Sequence, residues 1–88
     1  MTLSDWITQM LQQSLQPTRL DVIDESEQHR GHGGFREGVQ THIRIHIVSD
    51  AFTGKSRLQR HRLVNETLAG AFDRGLHALA IDAKGPGE

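Results

Sequence analysis

The first apolar residues of the chain recur at the spacing of an α-helix. Thr2 or Ser4 can serve as the N-cap, the helix opens with Asp5, and Pro17 ends it. Residues three and four apart share one side of a helix, so we expect a single face that packs on the core. The face comprises Ile7, Met10, Leu11, Ser14 and Leu15.

A second helix is predicted in the latter half of the chain. Residues 50–55 have the composition of a turn, Ser56 is a suitable N-cap, and Gly75 is a suitable C-terminal stop. The apolar stripe of this helix contains Leu58, His61, Val64, Leu68, Ala71 and Phe72. We interpret His61 as a structural histidine whose ring packs in the core while one nitrogen bonds a backbone carbonyl.

Three stretches are predicted to be strands, at residues 19–25, 41–49 and 76–83. Side chains on a strand alternate between its two faces, and the second stretch follows that rule almost perfectly. Its isoleucines share one face and its polar residues the other: Ile43, Ile45 and Ile47 against His42, Arg44 and His46.

The predicted order is helix, strand, strand, helix, strand. Residues 26–40, between the first two strands, form a polar loop with four glycines, longer than most hairpin connections. A hairpin followed by a helical crossover to a third strand gives a small three-stranded mixed sheet with both helices on one face. The predicted fold class is α/β in the broad sense and, more specifically, α+β. The isoleucine face must meet the helices, and the polar face of the second strand must point away from the core.

Size and composition limit the class of protein. Its 88 residues form one domain, 1–88, and the content of 35% hydrophobic and 24% charged residues is that of a folded module. The formal net charge of -1 gives no global field for a polyanion or an anionic membrane. The N-terminal residues have no basic region and no long apolar run, so we expect no signal peptide or membrane span and a cytoplasmic location.

The chain has no cysteine, so it has no disulfide, thiolate ligand or thiol nucleophile of its own. Any iron or zinc chemistry must use nitrogen or oxygen donors, or sulfur from a partner. Two of the six histidines, His29 and His32, lie in the glycine-rich run HRGHGG of the loop. They are either solvated side chains or metal ligands, and a zinc site would need a third ligand nearby.

Several motifs together resemble a known family. IVSDAFTGKS at residues 47–56 is followed by LQRHRLV at 58–64 and LHALAI at 76–81. With Asp24-Glu25-Ser26, His29 and Thr41-His42 in the first half, they closely resemble the BolA family over nearly the whole chain. The resemblance implies a fold similar to a class II KH domain. It also implies binding to monothiol glutaredoxins and a shared [2Fe-2S] cluster in iron-sulfur trafficking and iron sensing, and some members are described as transcriptional regulators.

The resemblance also implies cluster ligands. In the family, one ligand comes from the loop between the first two strands and another from the histidine that opens the last strand. By motif match the second is His77, and the loop ligand is His29 or His32. Imidazoles can replace two thiolates on one iron, as in Rieske centres, and the cysteine of glutaredoxin and the thiol of glutathione would supply the sulfur. The competing interpretation of His77, which shares strand parity with Leu79 and Ile81, is a half-buried structural histidine.

Basic residues on and before the second helix form another candidate site. Arg60 and Arg62 are expected to project outward, where their planar donors suit phosphate or carboxylate groups. With Lys55 and Arg57 they could contact glutathione, a glutaredoxin or a nucleic-acid backbone. The alternative function is therefore a nucleic-acid-binding regulator on the KH-like scaffold, which the near-neutral charge and the aromatic content of 5% weaken.

Three polar residues of the second strand, His42, Arg44 and His46, suit a partner interface. The two histidines are too far apart on the strand to bind one metal ion. No nucleophile and base stand out, so we expect a protein that is not an enzyme. Family members usually continue past the last strand with a Thr-Pro-x-x-Trp type segment, whereas residues 84–88 read KGPGE here and are interpreted as a flexible tail.

Overall fold

The computed structural model of the chain describes residues 1–31, 33, 36 and 38–88, without the side chain of His29. The elements, in chain order, are α1 (Leu3–Leu15), β1 (Arg19–Asp24), β2 (His42–Val48), α2 (Arg57–Thr67) and β3 (Ala78–Lys84). Short 3-10 turns occupy Ser26–His29, Asp50–Phe52 and Ala69–Arg74. The predicted order of helix, strand, strand, helix and strand is confirmed.

The three strands form one mixed sheet in the order β1-β2-β3. β1 pairs with β2 in the antiparallel direction, and β2 pairs with β3 in the parallel direction. Ile45 at the centre of β2 lies opposite Val22 of β1 and Ile81 of β3. The parallel pairing requires the chain to cross back over the sheet, and α2 lies in that crossover.

Both helices begin with a capping box. The Thr2 hydroxyl accepts the backbone N–H of Asp5, and the Asp5 carboxylate accepts the N–H of Thr2. Ser56 and Gln59 make the equivalent pair at the start of α2. Of the two predicted caps for α1, Thr2 is therefore the one used.

The core lies between the isoleucine face of β2 and the two helices, as predicted. The three isoleucines are each 2% exposed or less, and helix residues cover them. Since about 25 cal/mol is gained for each Å² of apolar surface buried, this contact is the main stabilising term of the fold. The buried cluster consists of Ile7, Leu11, Leu15, Ile43, Ile45, Ile47, Phe52, Val64, Leu68, Ala71 and Leu76.

The second helix is shorter than predicted. It ends at Thr67, and the chain continues as the 3-10 turn Ala69–Arg74. A 3-10 turn has three residues per turn instead of 3.6, so positions extrapolated from the helical spacing rotate off the stripe. Phe72, in this 3-10 turn, is accordingly 46% exposed. Separately, Leu58 in the first turn of α2 is 58% exposed.

Three further positions of the predicted apolar faces lie outside the buried cluster, and the first of them, Met10, is partly buried and packs against it. Ser14 of α1 is exposed, because the buried side of that helix is complete with Ile7, Leu11 and Leu15. His61 is partly exposed and lines a cleft with Arg57 and Arg60, so the prediction that its ring packs in the core is wrong. Val64 of the same helix is the residue that α2 buries in the core.

β3 begins two residues later than predicted, because the chain first turns at Gly75. The φ angle of Gly75 is 109°, in the left-handed region that favours glycine, and Leu76 then enters the core at 4% exposure. His77 follows, just before the first residue of the strand. Within the described residues, no helix is both long and apolar enough to cross a membrane.

We predict that Gly75→Ala lowers the free energy of unfolding by at least about 1 kcal/mol, since an L-residue is strained in the left-handed region. An added Cβ would also approach Cγ1 of Val39 to 2.8 Å. Urea unfolding followed by circular dichroism measures the change.

Gly33→Ala is the matched control, because a Cβ there meets no atom of the described residues within 4 Å. We expect it to change stability by less than about 0.5 kcal/mol. Equal effects of the two substitutions would contradict the assignment of strain to Gly75.

Candidate functional site

The strand directions bring the candidate ligands to one end of the sheet. β1 ends at Asp24 opposite Ile43, and β3 begins at Ala78 opposite His42. The carboxyl end of β1 and the amino ends of β2 and β3 therefore lie together. The loop of residues 26–40 starts and finishes there, and His77 directly precedes β3 at the same place. We call this the histidine end of the sheet.

A buried hydroxyl joins the two ends of the loop. Ser26 is 4% exposed, and its Oγ accepts the backbone N–H groups of Thr41 and His42 at 2.8 and 3.2 Å. The same hydroxyl donates to the Asp24 carboxylate, which also accepts the N–H of Ser26. The side-chain amide of Gln40 donates to the other Asp24 oxygen at 3.2 Å. The base of the loop is therefore held by polar contacts rather than by apolar packing.

The same network reaches His77. The carbonyl of Thr41 accepts the backbone N–H groups of His77 and Ala78 at 2.8 and 3.1 Å. The Thr41 hydroxyl lies 2.8 Å from Nδ1 of His42. The rings of His42 and His77 are in contact, with centroids 5.5 Å apart and planes inclined by 50°.

The position of His42 corrects one prediction. It was expected to point onto an open surface with Arg44 and His46, but it is only 7% exposed. The start of β3 and the His77 ring lie against it, so the first polar residue of β2 is covered although the strand alternates as predicted. Arg44 is exposed and His46 is half-buried.

His77 itself is exposed, so its imidazole is accessible from solvent. The competing interpretation of a half-buried residue on β3 is not what the structure shows, because His77 lies just outside the strand. His29 is the last residue of the turn Ser26–His29, but its side chain, like the whole of His32, lies outside the described residues. Among the residues that are described, no three potential metal ligands cluster.

Among the described residues, His77 supplies one nitrogen donor of the kind found in iron-sulfur ligand sets. An accessible imidazole is a nitrogen ligand for iron, and histidine replaces cysteine on one iron of Rieske clusters. The chain has no thiol that could complete the set. Any cluster bound here would need sulfur ligands from another molecule.

The basic residues lie at the opposite end of the sheet. α2 begins after the turn that follows the carboxyl end of β2, and its first turns lie beside the carboxyl end of β3. Lys55, Arg57 and Arg62 are exposed there, as predicted for contact residues. We call these three residues the basic patch.

Arg60 differs from these neighbours, because its side chain is only 14% exposed. Its Nε donates to the carbonyl of Lys55 at 3.0 Å, and one terminal nitrogen donates to the carbonyl of Ala83 at 3.2 Å. Both terminal nitrogens also contact the Glu88 carboxylate. The expectation that Arg60 projects outward is therefore not met.

The same contacts fold residues 85–88, interpreted from the sequence as part of a flexible tail, back onto α2. Gly85 is buried, and the backbone N–H of Glu88 donates to its carbonyl at 3.2 Å. The hydrogen bonds from Arg60 hold the pKa of Glu88 below its ordinary value, and the pKa of Arg60 is raised by the same pair. A charge-assisted, two-pronged contact thus joins the last residue to the second helix.

The remaining polar face of the sheet is organised by ion pairs. Arg44 contacts Glu25 at 3.0 Å, and Nδ1 of His46 lies 3.1 Å from Asp82 on the neighbouring strand. The hydrogen bond from His46 is the main reason that the pKa of Asp82 is lowered. Asp21 faces His46 from the other side in the register of the sheet. The suggested interface role of Arg44 and His46 stays a prediction.

Sequence reasoning did not identify the polar network at the base of the loop. Asp24 and Ser26 carry a recognisable signal, since an aspartate two residues before a serine often caps a local turn. Thr41 carries no such signal, because its partners Ser26 and His77 are distant in sequence and are brought to it by the fold. The Arg60–Glu88 contact spans 28 positions and has no local signature.

The chain folds as a small α+β domain with a three-stranded mixed sheet and two helices on one face. A family model described as BolA-like protein matches residues 11–88. The chain belongs to the BolA-like family.

Three similar proteins illustrate the range of the family. BolA1 from Arabidopsis thaliana is a solved structure with a TM-score of 0.87 and 35% identity, and the match covers 100% of this chain and 96% of that one. SufE-like protein 1 of Arabidopsis thaliana is 45% identical over 93% of this chain, which spans only 23% of that protein. The DNA-binding transcriptional regulator BolA of Escherichia coli is 37% identical over 92% of this chain and 73% of its own length.

We predict that Glu88→Gln lowers the melting temperature at about pH 7 and that the difference from the parent protein shrinks progressively as the pH falls below 4.5. A carboxyl whose pKa is lowered by folding stabilises the fold above its ordinary value, here 4.5, and that contribution is lost as the pH falls through the folded-state pKa. Thermal unfolding followed by circular dichroism at several pH values measures it.

Glu66→Gln is the control, since Glu66 is an exposed carboxylate on α2, the helix that also contains Arg60. We expect this variant to follow the parent protein at every pH. A pH-independent effect of Glu88→Gln would show that the charged contact with Arg60 is not what stabilises the fold.

Proposed function

We propose that the protein is a non-catalytic adaptor that binds a monothiol glutaredoxin and shares a [2Fe-2S] cluster with it, in iron-sulfur cluster trafficking or iron regulation. The observation that carries this proposal is the meeting of the loop and His77 at the histidine end of the sheet. Parallel pairing of β3 with β2 produces that meeting, although the two segments are far apart in sequence. Membership of the BolA-like family supports the same assignment.

In this proposal, His77 and either His29 or His32 bind one iron of the cluster through their imidazole nitrogens. A [2Fe-2S] cluster usually has four thiolate ligands, and it supplies a one-electron redox centre or a transferable unit of iron and sulfide when bound. The partner glutaredoxin contributes a cysteine and a glutathione thiol. The ligand set is therefore divided between two molecules.

The hydroxyl groups at the histidine end support a role without catalysis. Thr41 and His42 resemble a nucleophile and its base at 2.8 Å, but Thr41 is fully buried and out of reach of a substrate. The Ser26 hydroxyl accepts two backbone N–H groups and donates to Asp24, so its hydrogen-bonding capacity is used by the fold. Both groups serve structure rather than bond cleavage.

We predict that adding the protein to a cluster-loaded monothiol glutaredoxin changes the visible circular dichroism of the cluster and that His77→Ala abolishes the change. Replacing a sulfur ligand by imidazole nitrogen alters the charge-transfer bands, and electron paramagnetic resonance of the reduced cluster reports nitrogen coupling directly. Substitution of His29 and His32 in turn identifies the loop ligand.

His61→Ala is the matched control, since His61 is a partly exposed histidine of α2 that lines a cleft with Arg57 and Arg60, away from the histidine end. It should leave the spectra unchanged. A parent protein that does not alter the glutaredoxin spectrum would overturn the proposed function, and an unaltered response in His77→Ala would remove His77 from the ligand set.

A second candidate function is the binding of nucleic acid by the basic patch. Lys55, Arg57 and Arg62 are exposed at the end of the sheet opposite His77. A relative of 37% identity is named a DNA-binding transcriptional regulator. The net charge of -1 argues against strong binding to phosphates, because only these local cations would contact the backbone.

We predict that any DNA binding is abolished by replacing Lys55, Arg57 and Arg62 together with alanine and is unaffected by His77→Ala. If the three cations each neutralise one phosphate, the slope of log affinity against log salt for the parent protein is about -2.7. Fluorescence anisotropy with duplex DNA over a range of salt concentrations measures both quantities. Binding that persists in the triple variant would remove the basic patch from this function.

A further inference from the structure

The backbone of His77 is fixed, but its imidazole has two side-chain torsions of its own. The backbone N–H is held by the carbonyl of Thr41 at 2.8 Å, which places the Cα but not the ring. The ring of an exposed histidine normally samples several rotamers. The contact with the His42 ring restricts those rotamers from one side.

Both the backbone and the ring of His42 are held by hydrogen bonds. Its N–H donates to Ser26 Oγ at 3.2 Å, and its carbonyl accepts the N–H of Glu25 at 2.8 Å. Its ring is 7% exposed and has Nδ1 at 2.8 Å from the Thr41 hydroxyl. A buried ring with a hydrogen-bonded nitrogen has one orientation, so the surface that it presents to His77 is fixed.

We propose that His42 is a positioning residue that sets the orientation of the His77 imidazole, with Thr41 and Ser26 holding His42 in place. This inference rests on the proposed function, because an oriented imidazole is useful at this end only as a ligand to metal. His42 does not touch the cluster and acts through His77. Residues that orient a metal ligand without contacting the metal typically lower metal affinity by about 10- to 100-fold when they are removed.

The hydrogen-bond network of Ser26 also connects His42 to the start of the loop. The Ser26 hydroxyl bonds the backbone N–H groups of Thr41 and His42, and Ser26 is the first residue of the loop that carries His29 and His32. One hydroxyl therefore fixes both the start of the loop and the strand segment behind His77. The start of the loop and the residues behind His77 therefore share one hydrogen-bonded base.

The first test uses the isolated protein and the carbon-proton resonances of the histidine rings, recorded at alkaline pH so that all rings are neutral. We expect His42→Ala to shift the His77 ring resonances and to increase the mobility of the ring. His42→Phe restores a flat ring beside His77 and should recover most of the restriction. His46→Ala, a change of the same type on the same strand, should leave the His77 signals as they are. Unchanged His77 signals in His42→Ala would overturn the inference.

The second test uses the complex with a cluster-loaded monothiol glutaredoxin. We expect the protein concentration needed for half of the spectral change to rise by about tenfold in His42→Ala and by less in His42→Phe. Thr41→Val keeps the shape of residue 41 but removes the bond to Nδ1, so it should reproduce part of the effect even if His42→Ala does not fold. If the parent protein, His42→Ala and Thr41→Val all need the same concentration for half of the spectral change, the positioning role is contradicted.

The two tests fail in distinguishable ways. If the parent protein leaves the glutaredoxin spectrum unchanged, the proposed function fails, and the resonances of the isolated protein still decide whether His42 orients His77. If the parent protein changes the spectrum but the His42 variants match it in both tests, the function stands and the positioning role is overturned.

Discussion

The parallel pairing of β2 with β3 determines where each functional side chain can lie. β2 is the central strand, and its isoleucines hold the sheet against both helices while its two edges pair with β1 and β3. Because β3 runs in the same direction as β2, the crossover through α2 must begin at one end of the sheet and finish at the other. The histidine end and the basic patch are separated for this reason, and a mutation at one end can be interpreted independently of the other.

Much of this arrangement was predictable from local patterns. The alternation of Ile43, Ile45 and Ile47 identified the buried face of β2, and Ser56 marked the start of α2. These signals are local, since strand alternation and helix caps depend on neighbours within a few residues. The motifs at residues 47–56, 58–64 and 76–81 led to the family and to the expected partner, which periodicity alone would not have reached.

The features that the sequence did not reveal depend on contacts between distant residues. His42 has the alternation of an exposed residue but is covered by His77, which lies 35 positions later in the sequence. Arg60 has the position of an outward-facing helix residue, but its side chain is bonded to Glu88 near the end of the chain. The prediction that Phe72 lies on the apolar stripe is wrong because the chain changes from an α-helix to a 3-10 turn. Residue spacing alone does not predict that change.

Ion pairing within the domain changes how its charge should be interpreted. The sequence predicts Arg44, His46 and Arg60 as contact residues for a partner, but each contacts a carboxylate of the same chain. The basic patch and Lys84, which lies in the same cleft as Arg57, are exposed at the end of the sheet opposite His77, and so few cations give binding to a polyanion that is weak and sensitive to salt. A protein partner with its own polar groups is better matched to a surface of alternating charge than a nucleic acid is. The charge distribution therefore favours the adaptor over the DNA-binding function.

The proposed division of the ligand set between two proteins would account for a candidate donor with a fixed backbone beside a glycine-containing loop. His77 is tied by its backbone to Thr41, whereas the candidate loop donors lie in a segment that is anchored at Ser26 and contains four glycines. Without a cysteine the chain cannot complete the coordination of a cluster, so binding must depend on the presence of the partner. In the proposed complex, a His77 ring oriented by His42 would reduce the ordering needed when the two proteins meet. A ligand set completed only by the partner would make cluster binding conditional on the complex, which is the property that the proposed adaptor needs.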